Sequence, residues 1–145
     1  GNDRTISDEV GFINDDRPVD QAYLIGHSYG GWLALKTAAR IEVPIHTIHT
    51  LDPISAVYCW YTSPWSCQGA PDDISRRAYN RVAANSDWFV NLYQRRTLYL
   101  RSSQIEQADD NIRMNVGHKA IDTHPRVWAS FSSFIFSDET SLLSR

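Results

Sequence analysis

Apolar residues along the chain gather into short runs separated by polar, Gly- or Pro-containing stretches. Residues 21–26, QAYLIG, and 45–51, IHTIHTL, are rich in apolar and β-branched positions. Continuous runs of this kind predict strands buried on both faces of a sheet. Between them, WLALKTAARI consists of helix formers with no Gly or Pro until Pro44, which predicts a helix from Ser28 onward. Asp52-Pro53 ends the second strand, because proline cannot continue a central ladder. Residues 71–85, PDDISRRAYNRVAAN, open with Pro and acids and place Ile74, Ala78 and Val82 four apart, predicting an amphipathic helix. WFVNLYQ at 88–94 predicts a third strand and TLYLR at 97–101 a fourth, followed by a polar stretch over 102–118. From Pro125, the positions Val127, Trp128, Phe131, Phe134 and Ile135 mark the buried face of a last helix. Residues 1–18 form a polar lead-in with a short helix around Ile6–Phe12, residues 53–70 an aromatic loop, and 137–145 a frayed tail.

Strands alternating with helices predict an α/β domain, a parallel sheet with flanking helices, over residues 1–145. Three or four strands are few for a parallel sheet covered on both faces. The hydrophobic fraction of 42% is ample for one core. The net charge of −3, with no basic block, argues against a nucleic-acid partner. No apolar stretch approaches the roughly 18–20 residues of a membrane span. The polar N-terminus carries no signal-peptide pattern, and no internal repeat is visible. Cys59 and Cys67 bracket CWYTSPWSC. Their spacing suits a small disulfide loop in an oxidising compartment, secreted or periplasmic; two reduced thiols are the alternative.

Gly26-His27-Ser28-Tyr29-Gly30 fits G-x-S-x-G, with a strand before it, a helix after it and a further glycine at Gly31. In a nucleophile elbow the serine occupies a strained strand-to-helix turn that exposes its hydroxyl at the helix N-terminus. The glycines would remove Cβ atoms where strand and helix approach, and the backbone N–H of Tyr29 would be one oxyanion donor. His27, beside the serine, is expected to support the elbow, because a base must reach the hydroxyl from another loop.

The stretch LIGHSYGGWLALKTA resembles the α/β-hydrolase superfamily, especially its lipase, esterase and thioesterase branches. That resemblance implies a serine nucleophile, an acid and a histidine in that chain order. HTLDPI resembles the Leu-Asp-Pro that follows the corresponding strand in lipases of the pancreatic type, which makes Asp52 the acid. Many members carry the acid one strand later, but here the next strand ends in Gln94 and Arg95. Glu106, Asp109 and Asp110 stay open as alternatives. GHKAIDTHPRVWASFSSFI resembles the superfamily's catalytic-histidine loop feeding the last helix, with His118 as base and His124 as a capping or surface residue. His46 and His49 lie three apart on a strand and so face opposite sides, which suits packing rather than a shared metal. The implied reaction needs neither metal nor organic cofactor.

The resemblance runs from about Val19 to Phe136, yet only 27 residues precede Ser28. Superfamily members place several strands there, together with the loop that supplies a second oxyanion N–H. The expectation is therefore a partial α/β-hydrolase fold lacking the N-terminal strands. An N-terminal fragment or partner chain would complete the sheet and the oxyanion hole. The chain would be the product of a cleaved enzyme, a fragment of a longer one, or a compact variant. Trp60, Tyr61 and Trp65, after Asp52, would line an apolar rim for an acyl chain and make transient contact with a membrane surface; packing on their own domain is the plainer alternative. The expected function is cleavage of carboxylic esters, lipase- or phospholipase-like. An acyl thioesterase and a non-catalytic binding module derived from a hydrolase are its rivals.

Overall fold

The computed structural model describes residues 20–55 and 69–143. Trp60, Tyr61, Trp65, both cysteines and the helix expected around Ile6–Phe12 lie outside these residues. Four strands, β1 (Ala22–His27), β2 (Ile45–Leu51), β3 (Ser86–Gln94) and β4 (Asp110–Met114), form one sheet in the order β1-β2-β3-β4. All three strand pairings are parallel. Among the described residues three α-helices accompany them: α1 (Tyr29–Ala38), α2 (Arg76–Asn85) and α3 (Pro125–Leu143). The chain is thus an α/β fold with flanking helices, and no described helix is long and apolar enough to cross a membrane.

Two apolar clusters explain why the central strands carry so few exposed positions. On one face, Trp32, Leu35 and Ala38 of α1 and Tyr79 and Val82 of α2 pack on Ile48 and Phe89. On the other, Val127 and Phe134 of α3 cover Leu51, Val90 and Leu92. Alternate residues of β2 and β3 therefore enter opposite cores, as the period of two requires. His49 belongs to the α3 side, where Phe131 and Phe134 meet its ring edge-on at centroid distances of 5.2 Å. His46 stacks on Tyr23 at 4.9 Å. Both pack against aromatic rings.

Four expectations need correction. The fourth strand is not 97–101: that segment is an irregular connection, with Leu98 61% and Tyr99 44% exposed. β4 instead lies within the stretch read as merely polar, and as an edge strand it needs only Ile112 and Met114 for the α3-side core. Helix α2 starts at Arg76, after Pro71 and the acids, because Ser75 takes the N-cap and accepts from the Ala78 N–H at 3.2 Å. Trp128 is 48% exposed rather than buried, its indole N–H donating to the Asp122 carbonyl at 2.6 Å. The last helix continues to Leu143, into the segment expected to fray.

No helix joins β3 to β4. Asparagine side chains fasten the irregular crossover in its place. Asn91 Nδ2 donates to the Ser103 carbonyl and to Asn111 Oδ1, at 2.9 and 2.8 Å. Asn111 in turn exchanges two hydrogen bonds with the backbone of Ile105.

Candidate active site

The carboxyl ends of β1 and β2 lie level, His27 pairing with Leu51, and β3 runs two residues past Leu92, the partner of Leu51, to Gln94. Loops leaving this edge are where open parallel sheets place their ligand sites. Ser28 follows β1 directly and precedes α1, with φ 58° and ψ −120°. A non-glycine residue at positive φ is costly, on the order of 1–3 kcal/mol, and persists only where its surroundings over-determine it. Here they do. Its N–H donates to the Leu51 carbonyl at 2.9 Å. Its own carbonyl accepts from Gly31, Trp32 and Ile54, so it starts the helix and holds the segment after Asp52.

The glycines around it are not equivalent. A Cβ on Gly26 would collide with the Gly30 carbonyl and stand 2.8 Å from Gly31 N. One on Gly31 would stand 2.9 Å from the Pro53 side chain. One on Gly30 would meet no described atom within 4 Å. Close approach therefore explains Gly26 and Gly31, while the expectation that Gly30 relieves a clash is not met.

Asp52 follows β2 and also has positive φ, 46°, a conformation that Asp tolerates better than most residues. Its carboxylate is fully buried and surrounded by donors. Oδ1 accepts from the backbone N–H of Ser102 at 2.7 Å and of Gln94 at 3.3 Å. Oδ2 accepts from Gln94 Nε2 at 2.8 Å and faces His118 Nδ1 at 2.6 Å. A buried carboxylate is tolerated only when paired and hydrogen-bonded in this way.

His118 opens a single 3₁₀ turn, His118–Ala120, and is nearly buried. With Nδ1 on Asp52, its Nε2 lies 2.8 Å from Ser28 Oγ. Since a carboxylate only accepts, the Nδ1 proton points to Asp52 and leaves Nε2 able to accept from the serine hydroxyl. Ser28, His118 and Asp52 thus form one continuous hydrogen-bonded chain. The Tyr29 N–H is at the first position of α1, among the amides that a helix leaves without an internal partner.

The alternatives lie elsewhere. His124 stands just before α3 and accepts from the Arg126 N–H at 3.2 Å, a helix cap. Asp109 accepts from the Phe89 N–H at 2.7 Å, and Asp110 begins β4 beside Val90, toward the amino end of the sheet. Glu106 pairs with Arg76 on the surface at 3.3 Å.

Two contributors escaped the sequence reading. Gln94, noted there only for not being an acid, holds Asp52 with its amide N–H₂, which also donates to the Leu100 carbonyl at 2.7 Å. Its Oε1 accepts from the N–H groups of Arg96 and Thr97. Thr97 Oγ1 then accepts from the His118 N–H at 3.0 Å. A carboxamide ending an apolar strand, next to the strand that Asp52 follows, was the available signal for Gln94. Nothing in the local pattern singles out Thr97.

Comparison of the chain with protein-family models, with curated proteins and with solved structures finds no match.

Proposed function

We propose that the chain is a serine hydrolase of carboxylic esters, and that its sheet and helices are the carboxyl-terminal part of an α/β-hydrolase fold. The observation that carries this reading is the Ser28–His118–Asp52 hydrogen-bonded chain, 2.8 and 2.6 Å long at its two links, on a serine held at positive φ. An ordinary glycine-rich turn has no reason to hold a hydroxyl in a strained conformation against an imidazole braced by a buried carboxylate.

In the reaction, Ser28 Oγ attacks the ester carbonyl carbon while His118 Nε2 takes its proton. Asp52 keeps the ring in the required tautomer and stabilises the imidazolium. The tetrahedral oxyanion is held by the Tyr29 N–H at the positive end of α1. Collapse expels the alcohol, which leaves with the proton from His118. Water, deprotonated by His118, then attacks the acyl-serine, and the acid departs as Ser28 regains its proton. A second oxyanion donor belongs to this reading, supplied by polypeptide or a partner chain along the outer edge of β1, which pairs only with β2 among the described residues. The substrates in this reading are acyl or lipid esters.

A fluorophosphonate probe tests the proposal. Ser28 should be labelled covalently, and Ser28→Ala should abolish both labelling and turnover of acyl esters of graded chain length. Absence of labelling at Ser28, with folded protein, would favour a binding module derived from a hydrolase. Faster turnover of sulfur esters than of oxygen esters would move the assignment to a thioesterase.

A further inference from the structure

His27 immediately precedes the serine, and its ring lies against the segment that carries His118. Its Nε2 lies 2.8 Å from the backbone carbonyl of His118. A carbonyl can only accept, so Nε2 carries the proton and donates it. Its Nδ1 lies 3.4 Å from Asp122 Oδ2, four residues beyond His118 on the same segment. The two imidazoles are 4.9 Å apart between centroids.

Both peptide groups of His118 are therefore fixed by side chains from other elements. Thr97 Oγ1 takes its N–H at 3.0 Å, and His27 holds its carbonyl. The second contact closes a small ring. One peptide bond joins His27 to Ser28, one hydrogen bond joins His27 to the His118 backbone, and one joins the His118 ring to Ser28 Oγ. No long lever lies between nucleophile and base, so the separation of Ser28 Oγ and His118 Nε2 follows the rotamer and tautomer of His27. The donation from Nε2 to the carbonyl defines that rotamer, with Nδ1 turned toward Asp122.

We infer that His27 is a positioning residue that sets the alignment of His118 with Ser28 through the His118 carbonyl. Its ring nitrogens meet the His118 carbonyl and Asp122, not Ser28 Oγ or the ring nitrogens of His118. The inference rests on the hydrolase reading for its catalytic consequence, although the ring of contacts stands without it.

Three substitutions separate its two contacts. His27→Gln places an amide N–H₂ near the Nε2 position and keeps the donor to the His118 carbonyl. His27→Asn places one near Nδ1, toward Asp122, and loses that donor. His27→Phe loses both. The rate of Ser28 labelling by a fluorophosphonate should fall about tenfold to a hundredfold in His27→Phe, the scale of loss expected when a reacting group is misplaced by an ångström. His27→Asn should behave like His27→Phe, and His27→Gln should recover most of the rate. The low-field N–H proton resonance of the His118–Asp52 pair should be sharp in the parent chain and in His27→Gln, and broadened in the other two. A parent-like rate in His27→Phe, or equal rates in the Gln and Asn variants, would overturn the inference while leaving the hydrolase reading intact. If the parent chain itself is not labelled, the hydrolase reading fails instead. The resonance then decides the positioning role, and its persistence unchanged in His27→Phe refutes it.

Discussion

At Ser28, the hydroxyl that meets His118 and the strained backbone belong to the same residue. Glycine adopts positive φ without penalty, so Ser28→Gly should raise the unfolding free energy by about 1 kcal/mol while eliminating probe labelling. Thermal unfolding and labelling on the same sample check both effects, and a destabilised Gly variant would mean that the hydroxyl's bond to His118 outweighs the strain. The neighbouring glycines give a sharper contrast. Gly26→Ala drives a methyl into the Gly30 backbone, which cannot yield without moving α1, and should cost about 3 kcal/mol or prevent folding. Gly30→Ala has open space and a helical position, and should stabilise by up to about 1 kcal/mol. Equal melting temperatures for the two variants would contradict this account of the elbow.

Among the elements, those with a strong period were legible and those held by polar side chains were not. QAYLIG and IHTIHTL announce β1 and β2 through apolar density alone, and WLALKTAARI announces α1. The error over 97–101 has a definite cause. TLYLR alternates like a strand, but Gln94 bends the chain by accepting the Arg96 and Thr97 N–H groups and donating to the Leu100 carbonyl. Those backbone groups thus answer to one carboxamide rather than to a neighbouring strand. β4 was missed for the opposite reason: DNIRM offers little apolar signal, and its place is secured by Asn91–Asn111 contacts that no local pattern reveals. Ser28, Asp52 and His118, by contrast, could be named because each sits beside a recognisable break: a double glycine, an Asp-Pro, and a Gly-His ahead of the last helix. Gln94 links the two cases. Gln94→Ala should leave the sheet formed, remove one donor from buried Asp52 and free the 95–101 connection. An unfolding cost of about 1–3 kcal/mol is expected. It should come with slower labelling of Ser28, and Gln94→Glu should do worse by placing a second carboxylate against the first. Unchanged labelling in both variants would separate Gln94 from the site.

Across the whole molecule, the sheet is joined to α3 through a neutral histidine. His49 lies between Thr47 Oγ1 at 3.0 Å and Ser130 Oγ at 3.3 Å, with Phe131 and Phe134 against its ring. Burial lowers its pKa from 6.5 to about 4. The unfolded chain therefore takes up a proton at His49 before the folded one does. Stability from this group is complete above pH 6.5 and falls as the pH drops from there toward about 4, by roughly 3 kcal/mol in all. His49→Gln keeps polar contacts without the titration and should flatten that part of the stability–pH curve, as measured by urea unfolding between pH 7 and 4. An unaltered slope in the variant would assign the acid sensitivity to other groups.

The level ending of β1 and β2, with β3 two residues longer, makes the geometry of the site a question of register. Were β2 to slip by one residue against its neighbours, Asp52 would travel about 3.3 Å along the strand axis and its side chain would swing to the opposite side of the sheet. No loop adjustment could bring it back to His118. Pairings far down the strands, such as Leu24 with Ile48 and Ile48 with Phe89, therefore act as a ruler for a hydrogen-bonded trio they never touch.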